Sequence, residues 1–287
     1  MGALYIVGTP IGNLEDITLR ALNTLKSVDL IACEDSRRTQ QLLEHYQIAT
    51  PTTSYHEHNE LTKAAELVLQ LEEGARIALV SDAGMPGISD PGYRLISLSI
   101  RHRIPVVPIP GASAFVAALV ASGLPTDAFR FAGFLPPKSR QRRRALEQHQ
   151  TAQKTLIFYE APHRIVHCLQ DVLKTLGNRH VVVAREVTKI HEEFLRGRCE
   201  EVLAELRRRG EVQGEITLLI GRAEEEPHPY ADAPLRARVE QLMRQQKLDR
   251  MEALKVVARE RRISKRQAYR EYEESEKEPE VSNQKAQ

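Results

Sequence analysis

The stretch "IALVSDAGMPGISDPG", residues 77–92, joins an unbroken apolar run to a loop crowded with glycine, proline and aspartate. The run from Ile77 to Val80 is too short for a helix, and its apolar, partly β-branched character suits a strand buried on both faces. The loop behind it is either a turn that reverses the chain or a shaped backbone cradle for a ligand. Position decides more than composition does, because ligands of open α/β sheets gather outside the carboxyl ends of the strands.

Working outward, similar runs recur at 4–7, 30–35 and 105–110, with amphipathic segments between them at 17–28 and 61–74. Strand and helix alternating at this rhythm predict a parallel sheet with helices on its faces, an α/β domain over 1–123. The pattern then begins afresh after a cluster of small and turn-forming residues near Gly123 to Pro125. Candidate strands at 129–135, 155–161, 180–186 and 215–221, a helix at 163–177 and a hairpin-like piece at 192–202 predict a second α/β domain over 124–224, with a mixed sheet. Proline-rich sequence makes 225–234 a linker. A helical tail is expected over 235–275, where "MEALKVVARERR" and "SKRQAYREYEE" resemble a helix-turn-helix pair with Ser264 capping the second helix. A plain helical tail fits the same pattern. Residues 276–287 are expected to be disordered.

The chain has 287 residues, 41% of them hydrophobic and 28% charged, as befits a soluble globular protein. Its apolar runs stay far below the ~20 residues of a membrane span, and the amino terminus reads as a strand rather than a signal peptide. Cys33, Cys168 and Cys199 lie far apart, which argues against disulfides and thiolate metal sites and for a cytoplasmic location. Basic residues (41) nearly balance acidic ones (39), but they are unevenly spread. The run "KSRQRRR", Lys138 to Arg144, is a candidate loop for phosphate backbones, or else a solvated helix face.

Four segments repeat the arrangement of the opening one. In "VGTPIGNLEDIT" (7–18) a strand runs into a Gly/Pro loop, yet Pro10 stands where a dinucleotide fingerprint needs glycine. "ACEDSRRT" (32–39) ends a strand in two acids followed by Arg37 and Arg38, which either close internal ion pairs or clamp phosphates. In "PIPGASA" (108–114), Ser113 and Ala114 open a helix whose free N–H groups suit a polar ligand, with simple capping by Ser113 as the other reading. "FYEAPHRI" (158–165) groups Glu160, His163 and Arg164 around a proline. His163 is a candidate general base or a capping residue. Each loop alone is an ordinary turn, but four together at strand ends form a ligand crevice. No metal-ligand spacing and no Ser-nucleophile elbow is present.

These segments, with "AREVTKIHEE" and "GEITLLI" in the same order over 4–221, resemble the tetrapyrrole-methylase-like superfamily of S-adenosylmethionine-dependent methyltransferases. Within it, they are similar to the bacterial family that methylates the 2′-hydroxyl of a cytidine in small-subunit ribosomal RNA. Met85 departs from the family's usual threonine, and Gly87 stands where a larger residue is common. The resemblance implies two α/β domains with the cofactor in the cleft between them, and a homodimer. By position it assigns S-adenosylmethionine to Pro10, to Ser81, Asp82, Ala83, Gly84, Pro86 and Ile88 of the opening loop, to Ser113, Ala114, Tyr159 and Glu160, and to Glu215 and Ile216. Asp82 is expected at the cofactor and Asp90 in holding the loop's shape. A ribose hydroxyl is a weak acid, and Glu160, His163 and Glu186 are the candidate bases. Arg37, Arg38, Lys138, Arg140, Arg142, Arg143 and Arg144 are the expected RNA contacts, in naked ribosomal RNA or the assembled small subunit. Two rivals remain: a methylase of a small tetrapyrrole-like molecule, and a nucleic-acid-binding regulator whose α/β part senses a ligand.

Overall fold

The computed structural model describes residues 2–223, 234–261 and 263–277. It divides into two compact units, Met1–Ala223 and Glu224–Gln287.

In the first unit, β1 (Ala3–Val7), β2 (Leu30–Cys33), β3 (Thr52–Ser54), β4 (Arg76–Val80) and β5 (Val106–Ile109) form one sheet in the order β3-β2-β4-β1-β5. Every pairing in it is parallel. The loops that leave β2, β4, β1 and β5 therefore emerge at one edge, from four adjacent strands. The opening run shows why it carries no polar alternation. Ile77 and Leu79 pack on one face against Leu67 and Leu71 of α3 (Glu60–Glu72) and Leu95 of α4 (Tyr93–Arg101). Ala78 and Val80 pack on the other against Leu25 of α1 (Leu19–Ser27) and Leu43 of α2 (Ser36–His45). A strand covered on both faces is apolar at every position.

A second sheet follows, ordered β6-β7-β10-β8-β9, from β6 (Phe129–Phe134), β7 (Thr155–Glu160), β8 (His180–Arg185), β9 (Glu193–Arg198) and β10 (Ile216–Ile220). It is mixed: β6 and β7 run parallel, and the other neighbours are antiparallel. Helices α6 (Ser139–Glu147), α7 (Ile165–Leu176) and α8 (Cys199–Arg209) cover one face through Leu146, Leu169 and Leu206. On the other face lies α5 (Ala114–Ser122), whose Ala118 and Leu119 pack on Ile157, Val182 and Leu219. The residues just before position 123 thus belong to the core of the second sheet.

Two expectations change. The piece at 192–202 is not a self-contained hairpin: β9 pairs with β8, and from Cys199 the chain enters α8. The basic run is not a loop but the first two turns of α6, pinned to α7 by Ser139 Oγ donating to Asp171 Oδ1 at 2.9 Å.

In the second unit, α9 (Leu235–Gln246), α10 (Arg250–Glu260) and α11 (Lys265–Lys277) share a core of Val239, Leu242, Leu254, Val257 and Tyr272. Ser264 Oγ accepts from the Gln267 N–H at 3.1 Å, the capping expected of it. Of the expected linker only Pro234 is described, and the segment expected to be disordered is helical up to Lys277 and otherwise lies outside the described residues.

Candidate active site

A cavity of about 310 Å³ opens where the loop edge of the first sheet faces the second sheet. One wall is loop. Thr9 and Gly84 form a bridge that ties the β1 loop to the β4 loop, and Gly84 adopts φ +84°, a conformation that glycine reaches without strain. A Cβ on Gly111 would lie 2.8 Å from Gly8 Cα, so the β1 and β5 loops touch backbone to backbone. This brings Ile11, Ala83, Gly84, Met85, Ile88 and Ser113 to the cavity. Ser113 sits at the N-cap position of α5 but makes no capping bond with its side chain, so its hydroxyl is left to the cavity.

The other wall is strand. Antiparallel pairing of β7 with β10 sets Glu160 opposite Ile216 and Tyr159 opposite Thr217, and all four line the cavity. Tyr159 is fixed by an edge contact with Phe131 and a tilted one with Phe134, at 4.9 and 5.7 Å between ring centres. Burial pushes its phenol above the ordinary value.

Of the residues expected at the cofactor, Ala83, Gly84, Ile88, Ser113, Ala114, Tyr159, Glu160, Glu215 and Ile216 line this cavity. Pro10, Ser81 and Asp82 instead line an adjoining hollow of about 370 Å³, which shares Ile11, Ala83 and Glu215 with it. Pro86 is buried and lines neither. Asp82, expected at the cofactor, lines the adjoining hollow, and Asp90, expected to hold the loop's shape, lines the cavity. Asp82 accepts from the Asp35 N–H at 3.0 Å and pairs with Arg38 at 3.3 Å, joining the β4 loop to the start of α2. Asp90 lines the cavity, carried there by a loop with φ +81° at Gly87 and +63° at Ser89. Burial first, then the facing carboxylates of Glu34 and Asp82, push its carboxyl up to about 6.

The candidate bases separate as sharply. Buried Glu160 accepts from the Ala161 N–H at 2.8 Å and pairs with Arg164 at 3.0 Å. Glu186 lies outside the cavity lining, bound by Lys189 and the Glu215 N–H, each at 2.8 Å. Burial pushes its carboxyl up, but those hydrogen bonds outweigh it and hold the group below the usual carboxylate range. His163 is exposed on the turn before α7 and does not line the cavity.

The expected RNA contacts split as well. Arg37 and Arg38 are exposed, paired with Asp35 and Asp82, so the internal ion pairs are present. Arg142 is a correction: only 3% of its side chain is exposed, it pairs with Asp171 at 2.7 Å, and it donates to the Pro137 carbonyl. Lys138, Arg140, Arg143 and Arg144 remain on the exposed side of α6.

Sequence reasoning missed Ile11, Ser89, Phe134, Ala161, Pro162, Val187, Gly214 and Thr217 as lining residues. Phe134 and Thr217 lie on strands, where alternation marks burial and gives no separate sign of a ligand. Among the described residues no group of three or more metal-ligating side chains occurs.

The profile of the Tetrapyrrole (Corrin/Porphyrin) Methylases matches residues 3–203. The crystal structure of uroporphyrin-III C-methyl transferase from Thermus thermophilus, complexed with S-adenyl homocysteine, has a similar fold, with a TM-score of 0.54 at 21% identity over 77% of this chain and 97% of that one. The ribosomal RNA small subunit methyltransferase I of Halalkalibacterium halodurans is 56% identical over 76% of this chain and 75% of its own. The enzyme of the same name from Synechocystis is 47% identical over 94% of this chain and 96% of its own. The chain, built on the tetrapyrrole methylase fold, belongs to the ribosomal RNA small subunit methyltransferase I family.

Proposed function

We propose that the protein transfers a methyl group from S-adenosylmethionine to the ribose 2′-hydroxyl of a cytidine in small-subunit ribosomal RNA. The observation that carries this reading is the charge of the cavity: Asp90, Glu160 and Glu215 line it, and no Lys, Arg or His among the described residues does. A permanently cationic sulfonium suits such a lining, and an anionic cofactor does not. Bound there, the cofactor supplies an electrophilic methyl carbon. Ile11, Ile88, Ala114 and Ile216 offer the apolar surface an adenine needs, and the Ser113 hydroxyl and the first N–H groups of α5 suit the methionine carboxylate. The chain's further task is to hold an acceptor oxygen in line with that carbon and to exclude water, which supplies up to ~7–11 kcal/mol in favourable cases.

The acceptor is ribosomal RNA in this reading. Arg37 and Arg38 flank the cleft, and Lys138, Arg140, Arg143 and Arg144 present a second basic face for the phosphate backbone. A homodimer is part of the proposal. Edge strand β6 exposes Phe129, and beside it α5 exposes Val116 and Val120, an apolar face that a second copy would cover. No helix among the described residues is long and apolar enough to cross a membrane, in keeping with work in the cytoplasm, where ribosomal subunits are.

The test is transfer of a labelled methyl group to small ribosomal subunits, to naked ribosomal RNA and to a tetrapyrrole, followed by alkaline hydrolysis of labelled RNA. A 2′-O-methyl group blocks cleavage at its own nucleotide, so the label is expected in an alkali-stable dinucleotide that begins with cytidine. Label in a mononucleotide, or only in the tetrapyrrole, overturns the proposal.

A further inference from the structure

Three carboxylates line the cavity, and they are not equivalent. Glu160 is held by Arg164 and the Ala161 N–H, and Glu215 is paired with Lys189 at 3.2 Å. Among the described residues, no basic side chain pairs with Asp90. A carboxylate already bound by a cation is a poor proton acceptor, and one left without a cation keeps its basicity.

Asp90 also stands at a junction. With Ser89, it lines both the 310 Å³ cavity and a larger hollow of about 620 Å³ between α3 and α4. That hollow opens to solvent past Tyr93, which is 79% exposed, and Leu61, which is 69% exposed. An acceptor entering there reaches Asp90 before it reaches the strand-built wall.

We propose that Asp90 is a catalytic residue of this enzyme, the base that takes the proton of the acceptor hydroxyl, and that the hollow between α3 and α4 admits the nucleoside carrying it. The inference rests on the ribose-methylation reading above. As the oxygen forms its bond to the methyl carbon, the sulfur–carbon bond breaks and its electron pair returns to sulfur. The hydroxyl proton passes to an Asp90 oxygen and from there to water in the hollow. No other reactant is needed.

The groups facing Asp90 fit this task. Glu34, at the end of β2, and Asp82, in the β4 loop, repel its negative charge, as does any ionisation of Tyr159 on β7. The remaining charges of the larger hollow are Glu57, Glu60, Arg94 and Arg101. Arg94 is engaged by Glu60 at 3.4 Å. A hydrogen bond from Ser81 favours the ionised form of Asp90, while burial opposes it and dominates.

Steady-state methyl transfer to small subunits across pH is the test, with cofactor binding measured separately by calorimetry. Wild-type kcat/KM is expected to climb with pH up to about 6 and then level. Asp90→Asn should lower kcat at saturating cofactor by roughly a hundredfold or more and abolish that limb, over and above a rise in cofactor Kd from the carboxylate lost to the sulfonium. Asp90→Glu keeps a base, so it should recover part of the rate together with the limb. Glu34→Gln removes a like charge, so the limb should persist and move to lower pH. The inference is overturned if Asp90→Asn retains the rate or the limb, or if the limb disappears with Glu34 instead. Wild-type protein that labels no ribose sinks the functional reading and this inference with it; wild-type labelling alongside a fully active Asp90→Asn sinks this inference alone.

Discussion

The two walls of the cavity are made of different material. The first sheet offers loop backbone, drawn together by close contacts such as Gly8 against Gly111, and the second offers side chains whose places are set by strand register, Glu160 against Ile216 and Tyr159 against Thr217. A wall of touching backbones has no room for added atoms. A wall of registered side chains is sensitive instead to the loss of the partners that hold its lobe. The difference teaches where each half can be broken.

The largest effect is expected in the second half. Arg142 and Asp171 are an ion pair between α6 and α7, with 3% and 8% of their side chains exposed. Arg142→Ala leaves the buried Asp171 carboxylate with no cation but half-exposed Arg143, at the longer distance of 3.9 Å, which should cost roughly 3–5 kcal/mol in denaturant unfolding. A loss below about 1 kcal/mol would mean that α6 is not anchored by this pair. In the first half the matching experiment adds an atom. Gly111→Ala places a methyl group 2.8 Å from Gly8 Cα, and the two loops must separate at a cost of roughly 1–3 kcal/mol. Cofactor affinity should fall along with stability, because Ser113 and Ala114 follow directly. Stability lost with affinity intact would show that the loop wall tolerates displacement.

How much of this was legible follows the same division. Apolar runs of the first sheet, such as Ile77 to Val80, are readable because helices cover both faces. The strand-end loops were readable because Gly and Pro punctuate them. Strand β3 was not, being three polar residues, TTS, at a sheet edge. Nor was α6, whose charge concealed a face made by Arg142 and Leu146. A buried arginine looks identical to an exposed one in sequence, and only the distant Asp171 distinguishes them. The same applies to Asp82 and Asp90: the loop's composition makes both candidates for a ligand contact, but which one is consumed by Asp35 and Arg38 depends on the start of α2.

A smaller effect tests whether the loop wall carries a cost for its carboxylate. Asp90 titrates at about 6 in the folded protein against an ordinary value of 3.8. The folded state therefore holds the proton more tightly, so this contribution to stability is present below pH 3.8 and is lost as pH rises through about 6. Asp90→Asn should raise unfolding free energy by about 1–2 kcal/mol at neutral pH, a figure reduced for its partial exposure, and by little in acid. A gain that is equal at both pH values would place its origin in packing rather than charge. Saturating S-adenosylmethionine should shrink the neutral-pH gain, since a cation beside Asp90 offsets the repulsion from Glu34 and Asp82.

The smallest change in stability is expected at Arg144, two residues along α6 from Arg142 and on its exposed side. With no buried partner to abandon, Arg144→Ala should stay within about 0.5 kcal/mol of wild type in unfolding. Its effect is expected on RNA affinity instead, if α6 carries the proposed RNA face. Each phosphate contact releases counterions, so removing one cation should flatten the slope of log affinity against log salt by up to about 0.7 for single-stranded RNA. The affinity for S-adenosylmethionine should not move, because no residue of α6 lines the cavity. Arg140→Ala and Arg143→Ala should add to the flattening, while Arg142→Ala should not at temperatures where the fold survives. If all four substitutions flatten the slope equally, the helix is not divided into an anchoring face and an RNA face, and the second half of the molecule is less rigid than its buried ion pair implies. If none does, RNA is held elsewhere, and Arg37 and Arg38 beside the loop wall become the contacts to remove next.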